Sequence, residues 1–363
     1  MTLAPTGSPA EQRDALTGRL FEATLGAFDL FSVMLGLELG YYRSLADDGP
    51  ATAGELATRT RTDRRYTREW LEHQAVTGFL DVDDTGDPET RRYTLPAGHA
   101  LALLDPDDLA TASPLPRFVL SGARMLPLIA DAYRTGAGID WADYPGLIEA
   151  QELANRPMFR HLLAREWLPA IPDVHERLLA GGRVADLGAG AGWSSIAIAK
   201  AYPNAQVDGL DLDAQSVERA RANAAAEGVD PARLRFHHVD AGDHRLDGRY
   251  DLVTIIEALH DLSQPVAVLA AARQLLAPGG TVLVVDEKVA ERFTAPGGEI
   301  ERLMYGYSIL YCLVNARVDP EAVGTGTVMR PSTVRVYAEA AGFSRVTVLP
   351  IEHEVFRFYR LDP

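Results

Sequence analysis

Read by its hydrophobic and polar positions, the chain changes character near residue 183. Before that point apolar residues recur at three- and four-residue spacing. Leu16, Leu20, Ala23, Leu25, Phe28, Phe31 and Leu35 line one face of a helix over 15–47, closed by a Gly-Pro break at 49–50. Thr52 followed by Glu55 has the spacing of a capping box. Residues 64–82 read as a second amphipathic helix entering a short strand, and a polar turn over 83–90 leads to a strand at 91–96. Helix, helix, strand, turn, strand is the order of a winged helix, so such a domain is expected over 13–112, with about twelve frayed residues ahead of it. Helical patterns continue at 117–133 and 158–179, but prolines at 114, 116, 127, 145, 157, 169 and 172 predict short pieces. The stretch 113–180 is therefore expected to be a helical connector forming one wall of a pocket.

From 183 onward strands at 183–188, 205–212, 234–240, 250–259 and 281–287 alternate with helices at 194–202, 214–228, 265–280 and 331–343. Such alternation predicts a parallel α/β sheet. The ending differs: strands at 344–352 and 355–361 are separated only by His353 and Glu354. A link that short cannot form a parallel crossover, so these two strands are antiparallel neighbours. Arginine-bearing 356–361 reads as an amphipathic edge strand. The expected fold class is α/β: a doubly wound, Rossmann-like sheet over 181–363 ending in an antiparallel hairpin, preceded by an α-helical, winged-helix domain.

Composition narrows the picture. At 363 residues there is room for two domains. A single cysteine, Cys312, excludes an intrachain disulfide and a multi-thiolate zinc site, and no His, Cys or carboxylate spacing suggests a metal. The N-terminus lacks a basic region followed by an apolar core, and no run approaches eighteen uninterrupted apolar residues. A cytoplasmic protein without membrane contact is expected. Arg61, Arg64, Arg65 and Arg68 crowd one segment, as DNA-contacting helices do, but the chain carries a net charge of −16. The reading preferred here is a solvated basic face on a dimerisation domain, a homodimer through 15–47 and no nucleic acid.

The most informative stretch is 184-VADLGAGAGWSSIAIAK-200. Gly188, Gly190 and Gly192 alternate between an apolar strand and a helix, one residue short of the dinucleotide fingerprint, and Trp193 follows. Asp186 precedes them, where a carboxylate suits a ligand carrying an ammonium group. Together with the terminal hairpin this resembles the class I S-adenosylmethionine-dependent methyltransferases over residues 183–361. The resemblance implies S-adenosyl-L-methionine as cofactor. It assigns Gly188, Ala189, Gly190 and Gly192 to close backbone approach, Asp211 to the ribose hydroxyls and Leu212 to the adenine face. Asp240, with Ala241 beside it, takes the adenine amino group, and Glu257 with Ala258 floors the site. Asp213 reads as the N-cap of the helix at 214.

The next informative stretch, 257-EALHDLSQP-265, resembles the plant-type small-molecule O-methyltransferases, in which His-Asp is followed by Trp-Ser-Asp. His260, Asp261 and Ser263 match; Leu262 and Gln264 replace the tryptophan and the acid. The resemblance implies an oxygen acceptor on a small molecule, with His260 as general base near its ordinary pKa. Asp261, Asp286 and Glu301 are candidates to orient the ring. Methyl transfer is an in-line displacement, so placing the acceptor is most of the work; a base adds ~10²–10⁴-fold. His237, His238 and His244 read as incidental. Helical spacing over 299–312 makes Glu301, Tyr305 and Ser308 candidate substrate-lining residues, and the glycine-rich stretch 322–332, with Thr325, Gly326 and Thr327, a mobile flap. The later segments also resemble winged-helix methyltransferases of actinobacteria. Two alternatives stand beside this reading: N- or C-methylation on the same scaffold, and a cofactor-sensing regulator whose winged helix binds DNA.

Overall fold

The computed structural model describes residues 7–83, 85–242 and 249–363. The chain divides into two compact units, Met1–Leu120 and Ser121–Pro363.

In the first unit, α1 (Pro9–Glu38) begins on a capping box in which Ser8 Oγ accepts from the Glu11 amide and the Glu11 carboxylate accepts from the Ser8 amide. Order therefore begins earlier than the expected residue 13. Gly40, at φ 71°, ends the helix expected to run through 47, and α2 (Tyr41–Asp47) follows it. The Thr52–Glu55 box starts α3 (Ala53–Thr60), and Asp63 caps α4 (Arg64–Val76). The wing is the antiparallel pair β1 (Asp81–Asp83) and β2 (Arg92–Thr94), followed by α5 (Ala97–Leu104). Tyr41, Tyr42, Leu56, Trp70, Leu71 and Tyr93 form its core. Arg64 and Arg68 pair with Glu89, and Arg65 with Glu69. By length and composition α1 could cross a membrane, which the count of uninterrupted apolar residues did not anticipate. Its Leu20, Phe21 and Phe28 are each about three-fifths exposed.

Two prolines expected to break helices lie inside them: Pro127 in α6 (Pro114–Thr135) and Pro157 in α7 (Leu147–Met158). The buried face of α6, with Met125, Ile129 and Ala132, holds it together across the lost hydrogen bond. Beyond Pro157 the chain continues as a π-helical stretch, Phe159–Trp167, before α8 (Pro172–Leu179). From Ser121 on, the expected connector belongs to the same compact unit as the sheet.

The sheet contains β3 (Arg183–Leu187), β4 (Gln206–Asp211), β5 (Leu234–His238), β6 (Tyr250–Ile256), β7 (Leu276–Glu287), β8 (Arg345–Val348) and β9 (Phe356–Asp362). Its order is β5-β4-β3-β6-β7-β9-β8; β9 alone runs antiparallel to both neighbours. The ending is antiparallel as expected, but the link is longer than His353 and Glu354: β8 stops at Val348 and residues 349–355 join it to β9, still too short for a parallel crossover. The edge belongs to β8, so β9 is interior, and its Arg360 pairs with Asp173 and Asp362. Helices α9 (Trp193–Ala201), α10 (Ala214–Ala226), α11 (Pro265–Leu275), α12 (Glu299–Tyr307), α13 (Leu313–Asn315) and α14 (Pro331–Ala340) complete the unit. The glycine stop expected at 280 is not the end of α11: the chain is already extended from Leu276. One apolar layer, including Trp167, Trp193, Leu252 and Phe358, covers one sheet face; Leu269, Val282, Val334 and Tyr359 belong to the other. Strand order reverses between β3 and β6. The glycine turn leaves one and residues 257–263 leave the other, at the switch point where open α/β sheets bind ligands.

Candidate active site

All three glycines of the turn have positive φ, at 75°, 52° and 84° for Gly188, Gly190 and Gly192. Two are required for different reasons. A Cβ on Gly192 would lie 2.6 Å from the Phe236 ring and 2.8 Å from Ala220, so this glycine lets α9 approach β5 and α10. A Cβ on Gly190 would meet open space, so this glycine serves the turn's positive φ and leaves its outer side uncovered. The Gly188 and Ala189 amides both donate to the Leu210 carbonyl, at 2.9 and 3.0 Å.

Asp211 at the end of β4 accepts from the Gly190 amide at 2.7 Å and the Asp213 amide at 2.9 Å, and burial pushes its pKa up. Leu212 beside it is 69% exposed. Asp240 is exposed and accepts from the Gly242 amide; Ala241 is half-buried. Asp213 caps α10 as expected.

Asp186 departs from the expectation of a ligand contact. It is fully buried, and its oxygens accept from Ser194 at 2.5 Å, Ser195 at 2.7 Å and Thr254 at 2.7 Å. The start of α9 and the neighbouring strand use it to pin the turn, and burial outweighs the three hydroxyls and raises its pKa. Glu257 is a non-glycine residue at φ 52°. Its Oε2 accepts from Gln151 Nε2 at 2.9 Å, Asn155 also hydrogen-bonds the carboxyl, and Oε1 is buried without a partner.

His260 sits just past β6 and is 2% exposed. Its Nδ1 donates to Asp286 Oδ1 at 2.9 Å and lies 3.0 Å from Glu287 Oε2; its Nε2 lies 3.4 Å from Asp261 Oδ1. Burial alone would lower the imidazole pKa, but Asp261, Glu287 and Asp286 overcome it and hold the value well above 6.5. The expectation of an ordinary pKa is corrected by these three carboxyls, only one of which adjoins His260 in sequence. Burial and the Asp286 charge push Glu287 up, whereas His260 holds Asp286 below its ordinary value despite burial. Cys312 hydrogen-bonds both His260 and Asp261, and burial lifts its thiol to about 12. The donor atoms of His260, Asp286 and Glu287, and of His260, Asp261 and Cys312, lie within 4.8 Å of one another. Folding therefore assembles groupings close enough for a metal, which sequence spacing did not suggest.

Glu301 does not orient the ring. It accepts from the Ala290 amide at 2.8 Å and from Arg330 at 2.9 Å, and Arg330 also reaches the Tyr305 hydroxyl at 3.4 Å. Ser308 is buried, in a π-helical turn (Ser308–Cys312) that continues α12. The expected flap is bound rather than free: Gly326 donates to the His260 carbonyl at 3.1 Å, Val323 to the Ser263 carbonyl at 3.0 Å, and Thr325 pairs with Tyr337 at 2.9 Å. His237 bonds Asp208 and His238 the Leu212 carbonyl, each at 2.9 Å, which fits incidental roles; His244 lies outside the described residues. Sequence reasoning missed Glu287, Gln151 and Asn155. The i, i+4 spacing of Gln151 and Asn155 put them on one helical face, without a signal of what they met.

Residues 184–280 match the family described as methyltransferase domain, and residues 29–104 the Rv2258c-like winged HTH domain. The ubiquinone biosynthesis O-methyltransferase of Aromatoleum aromaticum is 29% identical over 182 residues, 48% of this chain and 69% of that protein. Its counterpart in Psychrobacter arcticus is 28% identical over 184 residues, 48% of this chain and 64% of that protein. Among solved structures, mitomycin 7-O-methyltransferase MmcR aligns at a TM-score of 0.70 and 22% identity, covering 97% of this chain and 99% of that one. Human N-acetylserotonin methyltransferase, in complex with SAM, aligns at 0.71 and 18%, covering 99% of each. The structural likenesses carry the fold, and the family matches carry the chemistry. The chain joins a winged helix-turn-helix domain of the Rv2258c-like type to a class I methyltransferase domain, and it is an S-adenosylmethionine-dependent methyltransferase.

Proposed function

We propose that the protein methylates a small molecule at oxygen, with His260 as general base. The observation that supports this most is the His260–Asp286 contact of 2.9 Å, buried beside the β3–β6 switch point. When bound, S-adenosylmethionine supplies a methyl carbon made electrophilic by its sulfonium. The uncovered Gly190 and exposed Leu212 fit such a ligand. Asp211 would accept from the ribose hydroxyls, Leu212 would cover the adenine, and Asp240 would take its amino group. Asp286 holds the Nδ1 proton of a neutral imidazole, so Nε2 is the atom left to accept a proton from the acceptor hydroxyl. Asp261, 3.4 Å from Nε2, stabilises the imidazolium that forms once Nε2 has taken the proton. Ser308 and Tyr305 belong to the acceptor side in this reading. The α4 arginines, paired with carboxylates, give no support to the DNA-binding regulator.

Transfer of labelled methyl from S-adenosylmethionine to a panel of phenols and aromatic carboxylic acids tests this. His260→Ala should lower kcat by ~10²–10⁴-fold while calorimetric affinity for S-adenosylhomocysteine stays unchanged. A kcat within a few-fold of the wild type would remove the base. Transfer to amines alone would move the acceptor atom to nitrogen.

We also propose that a second copy of the chain covers the exposed apolar face of α1, giving a cytoplasmic homodimer.

A further inference from the structure

We infer that the Glu257 carboxylate, and not Asp186, receives the α-ammonium group of the methyl donor's amino-acid part. The assignment rests on the methyl-donor site proposed above and names the residue that reads one group of that ligand.

Position comes first. The β3–β6 register pairs Leu187 with Ile255, so the chain leaves β6 at Glu257 beside the glycine turn leaving β3. A Cβ on Gly188 would stand 2.7 Å from that of Ala258, which shows how closely the two strand ends meet. Conformation comes next. Glu257 holds the left-handed backbone (φ 52°), which side-chain-bearing residues adopt rarely; among the described residues only Arg61, capping the end of α3, does the same. Its amide is anchored to the Val285 carbonyl at 2.8 Å. Gln151 Nε2 donates to Oε2 at 2.9 Å and also bonds Asn155 Oδ1 at 3.2 Å, so the two amides form one bracket around the carboxyl.

What remains is Oε1, buried with no hydrogen-bond partner. A buried carboxylate oxygen without a donor is costly, and such an atom at a switch point is aimed at a ligand. The bracketing amides are neutral, and burial pushes the carboxyl up to about 7 because the charge of His260 offsets it only in part. An ammonium group supplies both a donor and the charge. The other acids of the cofactor side are taken or turned away. Three hydroxyls engage Asp186, two backbone amides engage Asp211, and Asp240 is exposed at the far strand.

The test is calorimetric titration of the full-length wild type and Glu257→Gln with two probes. One is S-adenosylhomocysteine; the other is its analogue with hydrogen in place of the α-amino group. The wild type should prefer S-adenosylhomocysteine by about ten-fold or more, the size of a charge-assisted hydrogen bond. Glu257→Gln should erase most of that preference while binding the analogue within about two-fold of the wild type. Equal weakening of both probes by the substitution would mark a structural role and overturn the assignment. So would unchanged S-adenosylhomocysteine binding. The wild-type comparison needs no variant: equal affinity for the two probes also overturns it. Failure of the wild type to bind S-adenosylhomocysteine at all would instead strike the methyl-donor site itself.

Discussion

At the residue scale, His260 couples charge to catalysis. Its pKa stands well above 6.5, because Asp261, Glu287 and Asp286 outweigh burial. A general base must first be neutral, so kcat should rise with pH along a limb lying above the ordinary imidazole value of about 6.5. Asp286→Asn removes one carboxylate that stabilises the imidazolium; the limb should move to lower pH while the plateau falls because Nδ1 is no longer oriented. A limb that stays in place would assign the titration to another group. Stability follows the same sign. A folded-state pKa raised above the unfolded one contributes stability that is complete below about 6.5 and lost as pH rises through the folded value. Asp286, held below its ordinary value, contributes above the carboxylate range and loses its contribution in acid.

Elements act through how closely they approach. Gly192 and Gly190 share a motif and differ in what a side chain would meet. Gly192→Ala sets a methyl against Phe236 and Ala220 at positive φ, and should cost about 1–3 kcal/mol in urea unfolding. Gly190→Ala meets no protein atom, so beyond the backbone strain it should fold comparably but bind S-adenosylhomocysteine more weakly. Equal stability losses with unchanged binding for both would contradict this division. The same logic explains why Pro127 and Pro157 failed as breakers. A helix with one face buried tolerates a missing hydrogen bond, and a π-helical stretch begins right after Pro157.

For the whole molecule, the relevant quantities are net charge and unpartnered apolar surface. A net charge of −16 makes copies of the chain repel one another, yet α1 exposes Leu16, Leu20, Phe21, Leu25 and Phe28. Light scattering at micromolar concentration should report twice the chain mass, and Phe21→Glu with Phe28→Glu should return it to one. A monomeric wild type would refute the dimer.

Much of this protein was set by its sequence. Periodicity carried the winged-helix order and the strand–helix alternation, because those patterns are local. The antiparallel ending was legible because a short connection excludes a parallel crossover, although the link proved to span 349–355 and not just 353–354. The Thr52–Glu55 capping box and the Asp213 cap were readable for the same reason, whereas the Ser8–Glu11 box was not foreseen. Site chemistry was only half legible. Asp186 and Glu257 are both acids near the glycine turn, and nothing in their spacing tells which is saturated. That depended on Ser194, Ser195 and Thr254 closing on one and Gln151 and Asn155 bracketing the other. Likewise Asp286 and Glu287 reach His260 from 26 and 27 positions away, so their part in raising the imidazole pKa, beside that of the adjacent Asp261, arises only once β6 and β7 lie side by side. Local pattern determines elements and caps; burial and charge pairing depend on distances between segments, which only the assembled sheet decides.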